Sequence, residues 1–318
     1  MPLPTDPAVV KTSENLVHQL QSMFGKHGGK RPAHAKGLLL AGTFTPLPAA
    51  STLSTAPHFN HPSTPIWIRF SNSTGIPSIP DFDAHADPRG IAIRFILDSE
   101  KHKHTDIVAH STPFFPTRTG EEFLEFLQAA AASSGEAVAT PKPIEKFLAS
   151  HPKALAFATA PKPAPTSWVR ETYWSVNAFK FIAKDGNVTF VRYRIIPVEG
   201  VEIASEEQKG SFGENYLTEE VKARLERGAT AEFKLVVQIA GEGDVTDDAT
   251  EHWPEERKIV ELGTIKLEGL LEDNEKEQKH IIFDPIPRVE GIDVSGDPLL
   301  DVRAGAYLIS GKERRAAA

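Results

Sequence analysis

The stretches Ile66-Trp-Ile-Arg-Phe70 and Ile91-Ala-Ile-Arg-Phe-Ile-Leu97 place large apolar side chains at alternating positions or in short runs. Segments 188–196, 233–239 and 259–267 have the same character. Runs that are rich in β-branched and aromatic residues and bounded by Gly, Pro, Asn or Asp predict β-strands. Helical segments do not alternate regularly with these strands, so the sequence predicts an α+β fold built on an antiparallel sheet or β-barrel with flanking helices.

Helices are predicted at four places. Residues 12–25 carry Leu16 and Leu20 at helical spacing, and Thr119-Gly-Glu-Glu122 is a capping box that opens a helix through residue 131. Segments 143–150 and 218–227 have the pattern of shorter helices. No internal repeat or flexible linker divides the chain, so we expect a single domain over residues 28–318, preceded by an N-terminal helix and arm over residues 1–27.

The composition restricts the chemistry. The chain has 318 residues, a net charge of −8 and no cysteine. The missing cysteine excludes disulfides, cysteine-bound zinc, iron–sulfur clusters and a thiolate nucleophile or haem ligand. The acidic balance argues against nucleic acid as the main partner. No apolar run reaches the roughly 18–20 residues of a membrane span, and no signal-peptide pattern opens the chain, so we expect a cytoplasmic protein.

Two pairs of histidines have a spacing that metal ligands also show. His58 and His61 form the first pair, and His102 and His104 form the second. Both pairs lie in polar, loop-like sequence without a third ligand at a suitable spacing. We therefore predict solvated surface histidines and no metal site.

His34 has a different setting, because small residues flank it and the apolar run Leu38-Leu-Leu40 follows. A titratable ring at the mouth of a buried strand can act as a general acid and base, or it can be a histidine of the core or rim. Arg303 and Tyr307 lie four positions apart, one turn of a helix. An arginine beside a phenol stabilises the phenolate, which is a strong ligand for ferric haem; the alternative is an ordinary helical contact.

Several motifs together resemble, in chain order, the core of the haem catalases. They are Arg31-Pro-Ala-His34-Ala-Lys-Gly37, Ile68-Arg-Phe-Ser71, Asp87-Pro-Arg-Gly90, Asp106-Ile-Val108, Thr112-Pro-Phe-Phe115 and Arg303-Ala-Gly-Ala-Tyr307. The resemblance covers about residues 28–315. The chain is short for a catalase and resembles the minimal, catalase-related peroxidase branch, which implies a catalase-like haem barrel for residues 28–318.

The resemblance implies haem b as the cofactor and assigns its reactive neighbours. Tyr307 matches the proximal axial ligand of the iron, and Arg303 matches the guanidinium that keeps this tyrosine ionised. His34 matches the distal acid–base histidine. Ser71 matches the serine that hydrogen-bonds that histidine, although a plain serine at a strand end is an equal alternative.

The resemblance also assigns residues that hold the haem. Arg31 and Arg69 match the arginines that bind the propionates, and Arg314 is a candidate for a third. Phe123 falls where the family stacks an aromatic ring on the distal face of the haem. The other apolar residues on the same helical stripe are expected to be core.

Two positions depart from the family pattern. His110 aligns with the distal asparagine of true catalases, and Asn177 aligns with a histidine on the proximal side. In catalases the asparagine amide helps to orient peroxide, whereas an imidazole at His110 offers a different donor geometry and a titratable group. The change is expected to reduce the dismutation of hydrogen peroxide more than it reduces peroxidase turnover.

The resemblance thus implies a haem-dependent peroxidase that reduces organic hydroperoxides, and hydrogen peroxide weakly. The expected partners are the hydroperoxide, a small-molecule electron donor and a second copy of the chain in a homodimer. Four alternatives remain open at this point: a true catalase, a hydroperoxide dehydratase similar to allene oxide synthase, a non-catalytic haem-binding protein, and a haem-free barrel with a binding role.

Overall fold

The computed structural model describes residues 2–135, 138–229 and 231–317. Within these ranges the strands are β1 Gly37–Pro46, β2 Thr64–Ser71, β3 Gly90–Asp98, β4 Lys103–His110, β5 Tyr173–Trp174, β6 Phe179–Ile182, β7 Val188–Pro197, β8 Glu232–Ile239, β9 Ile259–Leu270 and β10 Ile292–Val294. The α-helices are α1 Pro7–Phe24, α2 Pro48–Leu53, α3 Pro57–Asn60, α4 Gly120–Ala132, α5 Pro143–Ser150, α6 Pro152–Thr159, α7 Glu206–Ser211, α8 Tyr216–Glu226, α9 Asn274–His280 and α10 Leu299–Ala316.

The sheet closes into a barrel. Its strands follow the order β7-β5-β4-β3-β2-β1-β9-β8, and β8 pairs with β7 to close the ring. Strands β6 and β10 extend outward from β7. The strand pairs of the barrel are antiparallel. The prediction of an α+β fold on an antiparallel barrel with flanking helices is therefore confirmed.

Alternation along the strands separates the two faces of the sheet. In β2 the side chains of Ile66, Ile68 and Phe70 lie in the main core, while Trp67 packs in a second cluster with Ile281 and its neighbours. Successive side chains of a strand point to opposite faces, so this period of two is what the sequence pattern predicts. Both faces of β2 are thus covered by apolar contacts.

Three helices pack together outside the barrel. Leu16 of α1, Leu127 of α4 and Val302 of α10 form their shared buried cluster. Ser13 Oγ donates a hydrogen bond of 3.0 Å to the Val302 carbonyl. A Cβ atom on Gly305 would lie 2.4 Å from Ser13 Oγ, so the close approach of α1 and α10 requires glycine there. This packing fixes the position of α10.

The predicted capping box is present at the start of α4, where Thr119 and Glu122 exchange side-chain and backbone hydrogen bonds. Each of the predicted strands and helices is found. Helices α2, α3, α6, α7 and α9 were not predicted. The first three begin with proline in the first turn, a position where the missing N–H costs nothing. Across residues 2–135, 138–229 and 231–317, no helix combines the length and apolar character needed to cross a bilayer.

Candidate active site

Strand register brings two candidate residues into one row, with a glycine between them. Ser71 at the end of β2 pairs with Gly90 at the start of β3, and Gly90 pairs with His110 at the end of β4. The row lies at one end of the barrel. His34, in the segment before β1, contacts this row: its Nδ1 lies 3.0 Å from Ser71 Oγ. The contact that the sequence predicted between His34 and Ser71 is present.

His34 has a left-handed backbone, with φ of 56°. This conformation is unfavourable for a residue with a Cβ atom. Two backbone hydrogen bonds hold it: the His34 N–H donates to the Ser73 carbonyl at 2.9 Å, and the Ala35 N–H donates to the Thr74 carbonyl at 2.9 Å. The ring is therefore positioned by the backbone as well as by Ser71.

Gly90 leaves room for the His34 ring because it has no Cβ atom. A Cβ atom at this position would lie 2.9 Å from both Nδ1 and Cε1 of His34, and 2.8 Å from Ser71 Oγ. A side chain there would displace the ring or the hydroxyl. The sequence motif Asp87-Pro-Arg-Gly90 included this glycine, but the role emerges only from the register that places it between Ser71 and His110.

Burial keeps the His34 ring neutral. It lowers the pKa of His34 to about 3, with further lowering by the charges of Arg69, Arg31 and Arg303. A neutral imidazole has one nitrogen with a free lone pair, which can accept a proton. Because Nδ1 faces Ser71, Nε2 is the nitrogen that is available for acid–base chemistry.

His110 is a second neutral imidazole beside the first. Its Nδ1 lies 2.6 Å from Thr112 Oγ1, and its Nε2 is buried without a hydrogen-bond partner among the described residues. Burial lowers the pKa of His110 to about 3, and the electrostatic effects of Arg303 and then His34 lower it further. The titratable group anticipated at this position is thus held in its neutral form.

Arg303 and Tyr307 meet on one face of α10, as their spacing predicts. Nε and Nη2 of Arg303 each lie 3.3 Å from the Tyr307 hydroxyl, and the guanidinium lies 5.7 Å from the centre of the ring. Arg303 Nη1 also donates a hydrogen bond to Asn177 Oδ1. The guanidinium is thereby fixed between a phenol and an amide.

Asp297, which sequence reasoning missed, completes this chain of contacts. Asn177 Nδ2 donates to Asp297 Oδ2 at 2.7 Å, and Asp297 Oδ1 accepts a hydrogen bond of 2.9 Å from the Leu299 N–H at the start of α10. Asp297 is buried, and burial raises the pKa of its carboxyl. Its place in Gly-Asp297-Pro, just before a helix, was the available signal, since aspartate commonly caps helix starts.

The three arginines predicted to hold propionates converge at the C-terminal end of α9. All three donate hydrogen bonds to oxygen atoms there: Arg31 to the Gln278 and Ile281 carbonyls at 3.1 and 3.0 Å, Arg69 to Gln278 Oε1 at 2.8 Å, and Arg314 to the Lys279 and Ile281 carbonyls at 2.8 and 2.6 Å. Arg69 also donates to the His34 carbonyl at 2.9 Å. The arginine cluster therefore adjoins the histidine.

This arginine cluster, formed by Arg31, Arg69 and Arg314, has no ion pair with any carboxylate of the described residues. The ion pairs of the described residues join other basic groups to the nearby carboxylates, Lys30 to Glu275 among them. Burial first, and then the charges of neighbouring arginines, lower the pKa of Arg69 to about 9 and that of Arg314 to about 10. Buried cations without counterions are costly, so the arrangement favours a bound anion.

Phe123 lies between the helices and the row of strand residues. Its ring centre is 4.8 Å from that of Phe115 and 6.2 Å from that of Phe126, and Phe115 lies 6.4 Å from the His110 ring. Phe123 also packs in the cluster shared by α1, α4 and α10. The structure thus supplies core contacts for this ring, and its contact with haem stays a prediction.

The prediction of solvated histidines is wrong for His58. This side chain is only 1% exposed and packs against the rings of Phe59, Phe95 and Phe44 in the barrel core. Its polar sequence neighbours belong to α3, which closes over the barrel and turns His58 inward. His104 also differs, because it lies in strand β4 and is half-buried. His61 and His102 are exposed, as predicted.

The sequence model of the catalase family matches residues 8–317, so the chain belongs to the catalase family. Within it, the chain falls in the short, catalase-related peroxidase branch. It is 33% identical over 306 residues to a catalase-related peroxidase of Mycolicibacterium paratuberculosis, covering 95% of both chains. A catalase-related peroxidase of Synechococcus elongatus is 27% identical, with 95% of this chain and 88% of the relative covered. The prediction of an oxidoreductase of this type is confirmed.

Longer catalases match over part of their length. The chain spans 63% of a catalase of Triticum aestivum, at 25% identity and with 94% of this chain covered. Among solved structures, catalase A of Saccharomyces cerevisiae superposes with a TM-score of 0.79 at 20% identity, covering 95% of this chain and 64% of the other. A fungal catalase gives the same TM-score at 21% identity, covering 91% and 60%. These structures share the fold.

Haem is the cofactor of this family, and the residues present fit it. The arginine cluster offers positive charge to two propionates, and the buried Nε2 of His110 lacks a partner among the described residues. The Tyr307 oxygen faces a guanidinium that stabilises negative charge on it. The arginine cluster and the Arg303–Tyr307 pair therefore suit the propionates and the iron of haem.

Proposed function

We propose that this protein is a haem-dependent peroxidase that reduces organic hydroperoxides in preference to hydrogen peroxide. One observation carries the proposal. The chain pairs a histidine held by a serine, with His34 Nδ1 3.0 Å from Ser71 Oγ, with an arginine that has two nitrogens 3.3 Å from the Tyr307 hydroxyl. The charge of Arg303 also lowers the pKa of both His34 and His110. The cofactor in this proposal is haem b, with Tyr307 as its axial ligand.

Tyr307 serves as the proximal group. Its oxygen would hold the iron of haem as a phenolate, and the two N–H groups of Arg303 would stabilise the negative charge on that oxygen. Asn177 and Asp297 hold Arg303 in place through the contacts described above. Haem b, when bound, supplies the redox-active iron at which the O–O bond is cleaved.

His34 moves the proton during cleavage. With the Nδ1 proton donated to Ser71 Oγ, the Nε2 lone pair accepts the proton of the hydroperoxide. The same nitrogen then returns this proton to the leaving oxygen, so that an alcohol departs in place of an alkoxide. The depressed pKa of His34 suits the first half of this cycle, because the ring is neutral when the substrate arrives.

Arg31, Arg69 and Arg314 bind the propionates. Their guanidinium groups are already held by carbonyl oxygens at the end of α9 and retain further donors for an anion. Two carboxylates would neutralise most of the charge that these three cations bury. Phe123 contributes an aromatic face on the distal side.

The preference for organic hydroperoxides rests on two features. His110 stands where catalases have the asparagine that orients peroxide, and its imidazole presents one nitrogen to the site in place of an amide. The catalase-related peroxidase of Mycolicibacterium paratuberculosis, of which this chain covers 95%, is also much shorter than the wheat catalase, of which this chain covers 63%, so proteins of this branch have fewer segments with which to restrict access to the site. A bulky hydroperoxide should therefore reach His34 more readily than in a catalase.

The function is tested with cumene hydroperoxide, tert-butyl hydroperoxide and hydrogen peroxide on the haem-loaded protein. We expect donor oxidation with the organic hydroperoxides and little oxygen from hydrogen peroxide. Oxygen evolution at rates typical of catalases would contradict the preference. Conversion of a fatty-acid hydroperoxide to an allene oxide without donor would instead identify a dehydratase.

The residue assignments are tested separately. Tyr307→Phe should lose haem or shift its absorption bands, and Tyr216→Phe is the matched control, since this buried hydroxyl donates to the Pro165 carbonyl away from the site. His34→Ala should keep haem but react with hydroperoxide more slowly by about 100-fold or more. An unchanged spectrum in Tyr307→Phe would contradict the axial assignment.

A further inference from the structure

A cleft opens to solvent on the outer side of the arginine cluster. It lies between the C-terminal end of α1, the loop of residues 25–32 and the C-terminal part of α10, and encloses about 340 Å³, part of it open to solvent. We call it the basic cleft; its polar lining includes Lys26, His27, Lys30, Arg31, Ser310 and Arg314. Because the cleft is open on one side, a small molecule can contact its basic side chains while it stays partly exposed to solvent.

The floor of the basic cleft reaches the catalytic site. Arg31 and Arg314 line the cleft and also belong to the arginine cluster. The third member of that cluster, Arg69, donates to the His34 carbonyl. Arg314 Nη1 has only a long contact of 3.5 Å, to Ser310 Oγ, among its described hydrogen bonds, so it can donate to a ligand. The cleft thus connects solvent with the groups assigned to the propionates.

The wall of the basic cleft is the loop of residues 25–32, which contains three glycines. Gly25 and Gly29 have φ angles of 87° and 70°, which side-chain-bearing residues rarely adopt. The loop can therefore turn sharply and leave the arginines accessible. Two ion pairs stand at the rim: Lys26 with Glu313 at 3.0 Å, and Lys30 with Glu275.

The charge around the basic cleft is opposite to that of the whole chain. Seven cations lie in the cleft, the arginine cluster and the adjoining α9: Lys26, Lys30, Arg31, Arg69, Lys276, Lys279 and Arg314. The carboxylates of the cleft and α9 are Glu275, Glu277 and Glu313. Two propionates would bring the anions to five and still leave cations in excess, whereas the chain as a whole carries −8. A loaded protein therefore keeps a local attraction for anions.

We propose that the basic cleft binds the electron donor, and that this donor is a small anionic reductant of the enediolate class. This inference rests on the proposed function. Two donor monoanions each give one electron and one proton to the reduction of one hydroperoxide, which yields one alcohol, one water and two donor radical anions. The donor and the hydroperoxide use different approaches, since the cleft opens on the propionate side and His34 faces the row of strand residues.

The test compares ascorbate with the neutral donor guaiacol on the haem-loaded protein, with cumene hydroperoxide as oxidant. In the double variant Lys26→Gln/Lys30→Gln, kcat/KM for ascorbate relative to that for guaiacol should fall about five- to tenfold. Lys184→Gln/Lys222→Gln removes the same charge from exposed positions elsewhere and should leave the ratio unchanged. An unchanged ratio in the first variant would overturn the proposal.

A second measurement does not depend on turnover. Ascorbate added to the ferric protein without peroxide should protect Lys26 and Lys30 from acetylation, read by mass spectrometry, while Lys184 stays reactive. Equal acetylation with and without ascorbate would contradict binding in the basic cleft. If neither donor is oxidised, the proposed function fails, and the protection pattern still decides whether the cleft binds this anion.

Discussion

The side-chain amide of Asn177 donates a hydrogen bond of 2.7 Å to the buried carboxylate of Asp297. The amide oxygen meanwhile accepts a hydrogen bond from Arg303. A neutral group thus connects a buried anion with the cation that faces Tyr307. Because an amide does not titrate, the connection holds at any pH at which the carboxylate is ionised.

Removing this amide should destabilise the protein. In Asn177→Ala, Arg303 and Asp297 each lose a buried partner, so the free energy of unfolding should fall by about 2–4 kcal/mol. Urea unfolding of the haem-free protein measures the change. Asn187→Ala is the control, because the Asn187 amide bonds the exposed Asp185. Equal stability of the two variants would show that Asn177 does not hold Arg303.

Gly90→Ala should impair the distal site without loss of haem. The new Cβ would lie 2.8–2.9 Å from Ser71 Oγ and the His34 ring, so one of these groups must move. We expect the rate of reaction with cumene hydroperoxide to fall at least tenfold in stopped-flow measurements. Gly269→Ala, in β9 and with open space around its Cβ position, is the matched control. Equal rates in both variants would remove the role assigned to Gly90.

The backbone of His34 predicts a difference between two substitutions. At a φ of 56°, alanine is strained and glycine is not, so His34→Gly should be more stable than His34→Ala by about 1 kcal/mol. Urea unfolding of the haem-free variants measures this difference. Both should lose proton transfer to the hydroperoxide. Identical unfolding midpoints would indicate that this backbone relaxes when the ring is removed.

Stability should fall in acid because three histidines are buried in the neutral form. The pKa values of His34, His58 and His110 are lowered to about 3, mainly by burial. A histidine in the unfolded chain titrates near pH 6.5, as usual for its model compounds. Between about pH 6.5 and 3 the unfolded chain therefore binds more protons, and the free energy of unfolding decreases as the pH decreases.

The variant His58→Leu tests the contribution of one of these histidines to the pH dependence of stability. Below about pH 6, the free energy of unfolding of the variant should decrease less steeply with decreasing pH. The difference between the two slopes should be about 1.4 kcal/mol per pH unit. Near neutral pH the substitution should cost little, since Nδ1 of His58 has no hydrogen-bond partner among the described residues. Urea unfolding of the haem-free protein between pH 7 and 4.5 checks both points. Phe59→Leu, which changes the same helix and removes no titratable group, should keep the original slope.

The rate of hydroperoxide cleavage should not depend on pH between 5 and 8. Because the pKa of His34 lies at about 3, its Nε2 stays unprotonated over this range. Single-turnover stopped-flow measurements with cumene hydroperoxide give this rate constant directly. A loss of rate with an apparent pKa near 6 would show that the ring is more exposed to water than the structure places it.

The parts of the fold that local sequence determines were predictable. Strand β2 carries the run Ile66-Trp-Ile-Arg-Phe70, rich in β-branched and aromatic residues, and α4 begins with a complete capping box, so both are specified by neighbours in the chain. Strands β5 and β10 have two and three residues, too few to show a pattern. Their pairing depends on partners distant in sequence, which local periodicity does not reveal.

In the site, too, contacts between residues close in sequence were predictable, and contacts between distant residues were not. Arg303 and Tyr307 meet because four residues make one helical turn, so their contact follows from spacing. The bond between Asn177 and Asp297 joins residues 120 positions apart, and only the folded chain brings them together. His58 was wrongly placed at the surface because its polar neighbours in sequence say nothing about which way a four-residue helix turns its side chains.

The pairing of β7 with β8 completes the ring of hydrogen bonds around the barrel. A closed ring leaves none of its strands in need of a partner from another segment. During evolution, segments outside the barrel can be gained or lost without breaking the hydrogen bonds between its strands. Catalase A of Saccharomyces cerevisiae, of which this chain covers 64%, can thus be much longer than the matched part and still share the fold.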